Sequence, residues 1–127
     1  FDQFNAYCKE NDRSLCVMVN PMRMNWMEMS DYVWWCNERD VHLWFNTIRK
    51  PVNLALHSLP AADLQEIYEA SASKELPIAP AGKAGQAARN NIKVYENFVH
   101  QVATWRDEAK GDPTRGRGVP ATLTARW

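Results

Sequence analysis

Hydrophobic and polar positions along the chain predict a strand, a helix and a second strand in succession. The continuous apolar run at 15–19 is typical of a buried parallel strand, and it ends at Asn20 and Pro21 because proline cannot donate to a strand ladder. Apolar residues three and four positions apart predict a helix at 26–39. The run at 41–45 predicts the second strand, and this order favours parallel pairing in an α/β fold.

Helical patterns also lie on either side of these strands. Residues 2–13 are mostly polar, with apolar positions spaced as on a short helix. Pro60 suits the first turn of a further helix, and Asp63 is favourable near the positive end of that helix. The clearest pattern is the apolar stripe from Ala88 to Trp105, which predicts a long amphipathic helix at 86–110.

The segment before the long helix differs in composition from the rest of the chain. Residues 73–85 are rich in serine, alanine, proline and glycine, which predicts a linker. The sequence Ala-Gly-Lys-Ala-Gly at 81–85 lacks the Gly-Lys-Ser/Thr ending of a phosphate-binding loop, so we expect a flexible hinge there. Gly111 and Pro113 end the helical pattern, and residues 111–127 are predicted to form a tail.

Composition narrows the classes of protein to consider. Apolar residues make up 46% and charged residues 24% of the chain, which is a globular composition. Fifteen basic side chains balance fifteen acidic ones, so no global field directs the chain to nucleic acid or to a membrane. No apolar run reaches the roughly 18 residues of a membrane span. Four of the six tryptophans lie between Trp26 and Trp44, which indicates a core or a pocket wall.

The cysteines and the first residue bear on where the protein resides. Cys8, Cys16 and Cys36 are odd in number and irregular in spacing, which favours a reducing compartment, so we expect the cytoplasm. We expect Cys16 in the sheet core and Cys36 on an apolar helix face, both inert. The sequence begins at Phe1 without an initiator methionine, and we expect that it was cut from a longer protein.

Polar side chains that follow the two strands are the candidate site residues. Arg23, Asn25 and Glu28 come after the first strand, and Asn46 and Thr47 come after the second. Because the carboxyl ends of parallel strands form the functional face of α/β folds, these residues would suit a polar small molecule. A structural interpretation is also open, in which Asn25 caps the helix and Glu28 returns a bond to the backbone.

Three stretches carry a resemblance to a known family: VMVNPMRxNWxE at 17–28, LWFNTIxxP at 43–51 and LxxLPxxDL at 56–64. Together they resemble the later βα units of radical S-adenosylmethionine (SAM) proteins, and the likeness spans about residues 14–70. In that family the strand ends line the mouth of a barrel around cofactor and substrate. The resemblance therefore implies that Asn25, Glu28, Asn46 and Thr47 lie in the pocket wall.

The resemblance also implies how the chain is organised. Two strands cannot close a barrel, and a full eight-stranded barrel takes about 250 residues. We therefore expect an α/β fold in which two successive βα units of a partial (β/α) barrel occupy residues 1–72. The linker at 73–85, the long amphipathic helix at 86–110 and the tail at 111–127 follow.

The chain departs from the family in its cysteines. The family's Cys-x3-Cys-x2-Cys loop holds a [4Fe–4S] cluster whose open iron binds S-adenosylmethionine, and this sequence has no such loop. We therefore expect no cofactor, metal ligand or catalytic residue in this chain alone. S-adenosylmethionine and the cluster would belong to a full-length parent, and the partner would be its missing N-terminal half, another subunit or a second copy.

Two other functions stay open. The chain could be a non-catalytic interaction module that docks a protein through the long helix and the tryptophan-rich helix. The Arg-Gly-Arg-Gly sequence at 115–118 resembles basic tails that contact nucleic acid, but its few charges make a solvated tail the favoured interpretation. His42, His57 and His100 are too far apart in sequence for a local metal motif.

Overall fold

Helices dominate the fold, and a small parallel sheet lies among them. The computed structural model describes residues 1–10, 15–48, 50 and 54–111. Its helices and strands run in the order α1 (Asp2–Glu10), β1 (Cys16–Val19), α2 (Met29–Arg39), β2 (His42–Phe45), α3 (Ala61–Ala72) and α4 (Gln86–Lys110). The predictions of a mixed α/β fold and of a long C-terminal helix at 86–110 are confirmed.

Local sequence signals set the ends of α2 and α3. A single turn of 3-10 helix, Trp26–Glu28, leads into α2, so the helical segment begins at the predicted residue. Asp40 follows α2 in the left-handed conformation at φ 53°, which ends the helix before β2. Pro60 is the N-cap of α3, one residue earlier than the first-turn position expected for it, and Asp63 lies in the first turn.

The sheet consists of β1 and β2 in parallel, with Val17 opposite Leu43 and Met18 opposite Trp44. Leu43 and its neighbours on the same face pack into the core with α2 and α4. On the other face Met18 is 64% exposed and Trp44 is 54% exposed.

The prediction of a buried strand at 15–19 is therefore wrong for alternate residues. Cys16 is exposed instead of lying in the sheet core, because helices of the described chain cover only the Val17 face. The same reason leaves Trp44, one of the clustered tryptophans, outside the core.

The apolar stripe of α4 completes the core from the far end of the sequence. Tyr95, Phe98, Val102 and Trp105 are buried, and the helix packs on α3, β2 and α2. The ring of Phe98 meets that of Phe45 edge-on, with 5.6 Å between ring centroids. Among the described residues, no helix is long and apolar enough to cross a membrane.

A buried asparagine of α4 closes the outer edge of β2. Asn91 is 1% exposed, and its Oδ1 accepts a hydrogen bond from the Leu43 amide at 2.7 Å. Its Nδ2 donates to the Val41 carbonyl at 2.7 Å and to Asn37 Oδ1 at 2.9 Å. The side-chain amide thus takes the place that a third strand would occupy beside β2.

The connection between α3 and α4 is held by specific contacts. The Arg89 guanidinium donates to the Pro80 and Gly82 carbonyls, both at 2.7 Å. Gly85 is buried, and a Cβ atom there would overlap the Pro80 carbonyl. The expected linker contains a 3-10 turn, Lys83–Gly85, and these contacts contradict a flexible hinge at 81–85. Residues 112–127, with the Arg-Gly-Arg-Gly sequence, lie outside the described residues.

Candidate functional site

The structure uses Arg23 to hold two loops together. This side chain is only 3% exposed. Its Nε donates to the Ala55 carbonyl at 2.8 Å, and its guanidinium also donates to Ser58 Oγ at 2.6 Å. Its backbone amide donates to the Leu54 carbonyl at 2.9 Å. Arg23 therefore joins the loop after β1 to the segment before α3, and its buried guanidinium is held by protein acceptors at Nε and at one Nη.

A buried carboxyl group lies in the field of Arg23. Asp63 is 4% exposed, and its Oδ2 has no hydrogen-bond partner among the described residues. Burial raises the pKa of Asp63 and the charge of Glu66 raises it further, while the charge of Arg23 opposes both effects. Burial lowers the pKa of Arg23, and the charge of Asp63 raises it. The two charges stabilise each other, but the structure shows no salt bridge between them.

Asn25 shapes the loop after β1. Its Oδ1 accepts a hydrogen bond from the Met22 amide at 2.6 Å, and its Nδ2 donates to the Asn20 carbonyl at 3.0 Å. It precedes the turn Trp26–Glu28 but makes no side-chain cap bond, and neither does Glu28 at the start of α2. Asn25 therefore occupies the N-cap position, but the expected side-chain cap bonds are absent because its amide binds the preceding loop instead.

Asn46 and Thr47 lie where β2 ends, with exposed side chains. The Asn46 amide donates to the Val19 carbonyl at 2.9 Å and so extends the pairing of the two strands. The strands are parallel, so this carboxyl edge of the sheet also carries Asn20 and the loop that Asn25 closes. These side chains are available to a ligand at the strand ends.

Glu28 lines a different surface. It borders an open cavity of about 380 Å³ whose other lining residues are Phe1, Val17, Asp31, Tyr32 and Trp35. The floor of this cavity is the face of β1 that carries Val17, on the side of the sheet where α2 lies. Within the described ranges, no hydrogen bond or ion pair joins Glu28 to Asn46 or Thr47.

The predicted site residues are thus not one constellation. Arg23 and Asn25 maintain loop structure, while Asn46 and Thr47 are exposed at the carboxyl edge of the sheet. Glu28 belongs to the cavity beside α2.

The cysteines do not form a ligand set for a metal cluster. Cys8 and Cys36 are buried, whereas Cys16 is exposed on the uncovered face of the sheet. Burial raises the pKa of the Cys36 thiol to about 11, with Cys16 raising it further and Arg39 opposing. Among the described residues, no group of three histidine, cysteine or acidic side chains is arranged to hold a metal ion. These thiols therefore do not fit an iron–sulfur cluster.

Comparison with known proteins gave no match: no protein-family model, no curated protein and no solved structure is similar to this chain.

Sequence reasoning missed two features that the fold creates. Asn91 interrupts the apolar stripe of α4 between Ala88 and Tyr95. A polar residue at such a core position indicates a buried hydrogen bond, and this was the signal in the sequence. Asp31 and Trp35 join Glu28 around the cavity, at spacings of three and four residues on one helix face. The sequence shows that spacing, but it does not show that Phe1, just before α1, packs against Trp35 and forms another wall of the cavity.

Proposed function

We propose that this chain is a C-terminal segment of a cytoplasmic radical SAM enzyme and forms part of the wall of its cofactor and substrate pocket. It would contribute two βα units to a partial (β/α) barrel whose remaining strands belong to an N-terminal part of the same protein. The motifs at 17–28, 43–51 and 56–64 are the basis in sequence. On this proposal the chain has no catalytic activity alone.

The asymmetry of the sheet is the observation that carries the proposal. Asn91 closes the outer edge of β2, so the sheet cannot grow on that side. β1 has a single strand neighbour in the described chain, and the period of two directs the backbone groups of Cys16 and Met18 away from β2. A sheet that is closed at β2 and open at β1 suits the C-terminal end of a partial barrel, in which the final strand does not pair with the first.

The two faces of the sheet support the same proposal. In a (β/α) barrel, helices cover the outer face, and strand side chains fill the interior. Helices cover the face with Val17 and Leu43, while Met18 and Trp44 are exposed on the other face. We assign this second face to the barrel interior, where strands of the parent protein would bury it.

The cofactors fit the parent and not this chain. The family's [4Fe–4S] cluster binds S-adenosylmethionine through its open iron, and on this proposal its thiolate ligands come from a Cys-x3-Cys-x2-Cys loop of the parent. Asn46 and Thr47 would contact cofactor or substrate from the strand ends, whereas Glu28 lies in the cavity on the helix side of the sheet. Arg23 and Asn25 would hold the loops that form the mouth, since both side chains bind backbone carbonyls or amides of those loops.

The test starts with the natural polypeptide, isolated anaerobically and measured for intact mass, iron and sulfide. We expect a chain longer than the 127 residues of this sequence, with a Cys-x3-Cys-x2-Cys loop upstream and about four iron atoms. A natural chain of this length that binds no iron would refute the proposal.

Variants of the full-length enzyme then test the wall. We expect Asn46→Ala and Thr47→Val to weaken S-adenosylmethionine or substrate binding about tenfold without changing the cluster content, since each removes a hydrogen bond to ligand. Asn90→Ala is the matched control, because Asn90 is exposed on α4 and away from the strand ends. Unchanged binding in both site variants would exclude them from the pocket.

The interaction-module hypothesis requires the long helix and the tryptophan-rich helix to offer binding surfaces, and little of either surface is available. The apolar stripe of α4 is buried within the chain, so the long helix cannot offer it to a partner. On the tryptophan-rich helix, Trp34 is 40% exposed, and its Nε1 already donates to the Glu75 carbonyl at 3.0 Å. We therefore place any partner at the open edge of β1 and not at the long helix.

A further inference from the structure

We propose that the cavity beside α2 binds a small alkylated ammonium ion. The cavity has a volume of about 380 Å³ and is lined by Phe1, Val17, Glu28, Asp31, Tyr32 and Trp35. All of these residues lie in the described chain, so the proposal uses no residue outside it. It is independent of the radical SAM proposal.

Helix geometry brings the principal walls together. Glu28, Asp31, Tyr32 and Trp35 are spaced by three, one and three residues, which places them along one face of the turn Trp26–Glu28 and α2. Phe1 stands against Trp35 with 4.6 Å between ring centroids, and Val17 forms part of the floor. The result is a cavity with three aromatic walls and an aliphatic floor.

The polar groups at this cavity are acidic. The side chains of Glu28 and Asp31 are exposed, and their carboxylates make no hydrogen bond or ion pair with any residue in the described ranges. Of the residues that the structure describes, no lysine, arginine or histidine lines the cavity. Arg39, which follows Trp35 by one turn of α2, forms ion pairs with Asp2 at 3.2 Å and with Glu38 at 3.7 Å. Within the described part of the chain, the two carboxylates therefore have no side-chain counter-ion.

Aromatic walls and free carboxylates together select the chemistry of the ligand. An alkylated ammonium ion is weakly hydrated, carries apolar methyl groups and is attracted to aromatic rings. Trp35 already shows this attraction, because the Arg39 guanidinium carbon lies 4.0 Å from its ring centroid. A metal ion would instead need several oxygen ligands at coordination distance, and an uncharged apolar ligand would leave both carboxylates without a partner.

The test compares choline with its uncharged isostere, in which a quaternary carbon replaces the nitrogen. Proton NMR follows the methyl signal of each compound as the protein is added. We expect a saturable upfield shift for choline, because ring currents act on methyl groups held against aromatic faces. We expect the isostere to bind about tenfold more weakly, since it lacks the charge that both the rings and the carboxylates attract.

Variants assign the effect to this cavity. We expect Trp35→Leu, Tyr32→Leu and the double variant Glu28→Gln with Asp31→Asn each to weaken choline binding about fivefold to tenfold. Tyr32→Phe keeps the ring and should bind choline as the wild type does. Trp34→Leu and Glu108→Gln are the controls, because these residues lie outside the cavity. Urea midpoints of all variants identify any that have lost the fold.

Several results would overturn the proposal. The first is equal binding of choline and the isostere, which would make the cavity merely apolar. A choline shift that persists in both Trp35→Leu and the double carboxylate variant, with the fold intact, would place binding elsewhere. Failure of the methyl signal to shift at all would exclude an alkylated ammonium ligand.

Discussion

Replacing Asn91 tests the closure of the sheet more directly than any other single change. Asn91→Leu keeps a side chain of similar volume but removes an acceptor for the Leu43 amide and a donor to the Val41 carbonyl. Both backbone groups sit at the buried edge of β2, where α4 excludes water. The substitution therefore leaves a buried amide and a buried carbonyl without partners.

The expected cost follows from those two groups. An unsatisfied buried polar group costs about 1–3 kcal/mol, and part of that is regained because leucine suits the apolar stripe of α4. We expect a net loss of about 2–4 kcal/mol in the free energy of unfolding, against a total of about 5–15 kcal/mol for an ordinary domain. Asn90→Leu is the matched control, because Asn90 is exposed one residue earlier and should cost less than about 0.5 kcal/mol.

Two measurements check this prediction. Urea denaturation followed by circular dichroism gives the free energy of unfolding for the wild type, Asn91→Leu and Asn90→Leu. Hydrogen exchange at the Leu43 amide reports the bond itself, and we expect its protection to fall selectively in Asn91→Leu. If Asn91→Leu is as stable as Asn90→Leu and the Leu43 amide stays protected, the side-chain amide does not close the edge of β2.

Three further predictions concern other features of the fold. Cys16 should react with a thiol reagent much faster than Cys36, because Cys36 is buried and its raised pKa of about 11 keeps it protonated. Mass spectrometry follows the modification of each cysteine, and equal rates would contradict the prediction. The pKa of Asp63 is raised in the folded state, so the protonated carboxyl group is favoured by folding. Its contribution to the free energy of unfolding is fully present below the ordinary carboxyl pKa of 3.8 and is lost as pH rises through the raised pKa. Asp63→Asn should therefore gain stability relative to the wild type as pH rises above that range, and a pH-independent difference in urea midpoints would refute the argument. Gly85→Ala should cost about 1–3 kcal/mol in thermal or urea unfolding, because its Cβ meets a backbone carbonyl of the preceding turn, whereas Gly111→Ala has only an ordinary contact and should be neutral.

Local chemistry made the helices and strands predictable. Asp40, Pro60 and Gly111 mark ends of helices, and each acts through the backbone of its own segment. The stripe of α4 was predictable because its period is a property of one helix.

Features that depend on packing were not predictable in the same way. The apolar run at 15–19 does not reveal which of its faces a helix will cover, so the exposure of Cys16 and Met18 came only with the fold. The same limit applies to Arg23, whose partners Ala55 and Ser58 lie more than thirty residues away in the sequence.

The candidate site was predictable only as separate pieces. Asn46 and Thr47 follow a strand, and their place at the sheet edge comes from the strand order alone. The sequence also placed Glu28 near the strand ends, but the helix turns it toward Tyr32 and Trp35. Whether a polar residue faces a ligand or bonds to its own backbone depends on loop geometry, as Asn25 illustrates.

The position of α4 in the sequence has a consequence for biosynthesis. Val33, Leu43 and Leu64 share one core with Phe98 and Trp105, so the earlier segments cannot bury their apolar surfaces until the last helix is made. During translation the outer edge of β2 stays unpaired until Asn91 has left the ribosome. The shared core can therefore be completed only after α4 has been synthesised, and an unpaired strand edge that is exposed until then favours association between nascent chains.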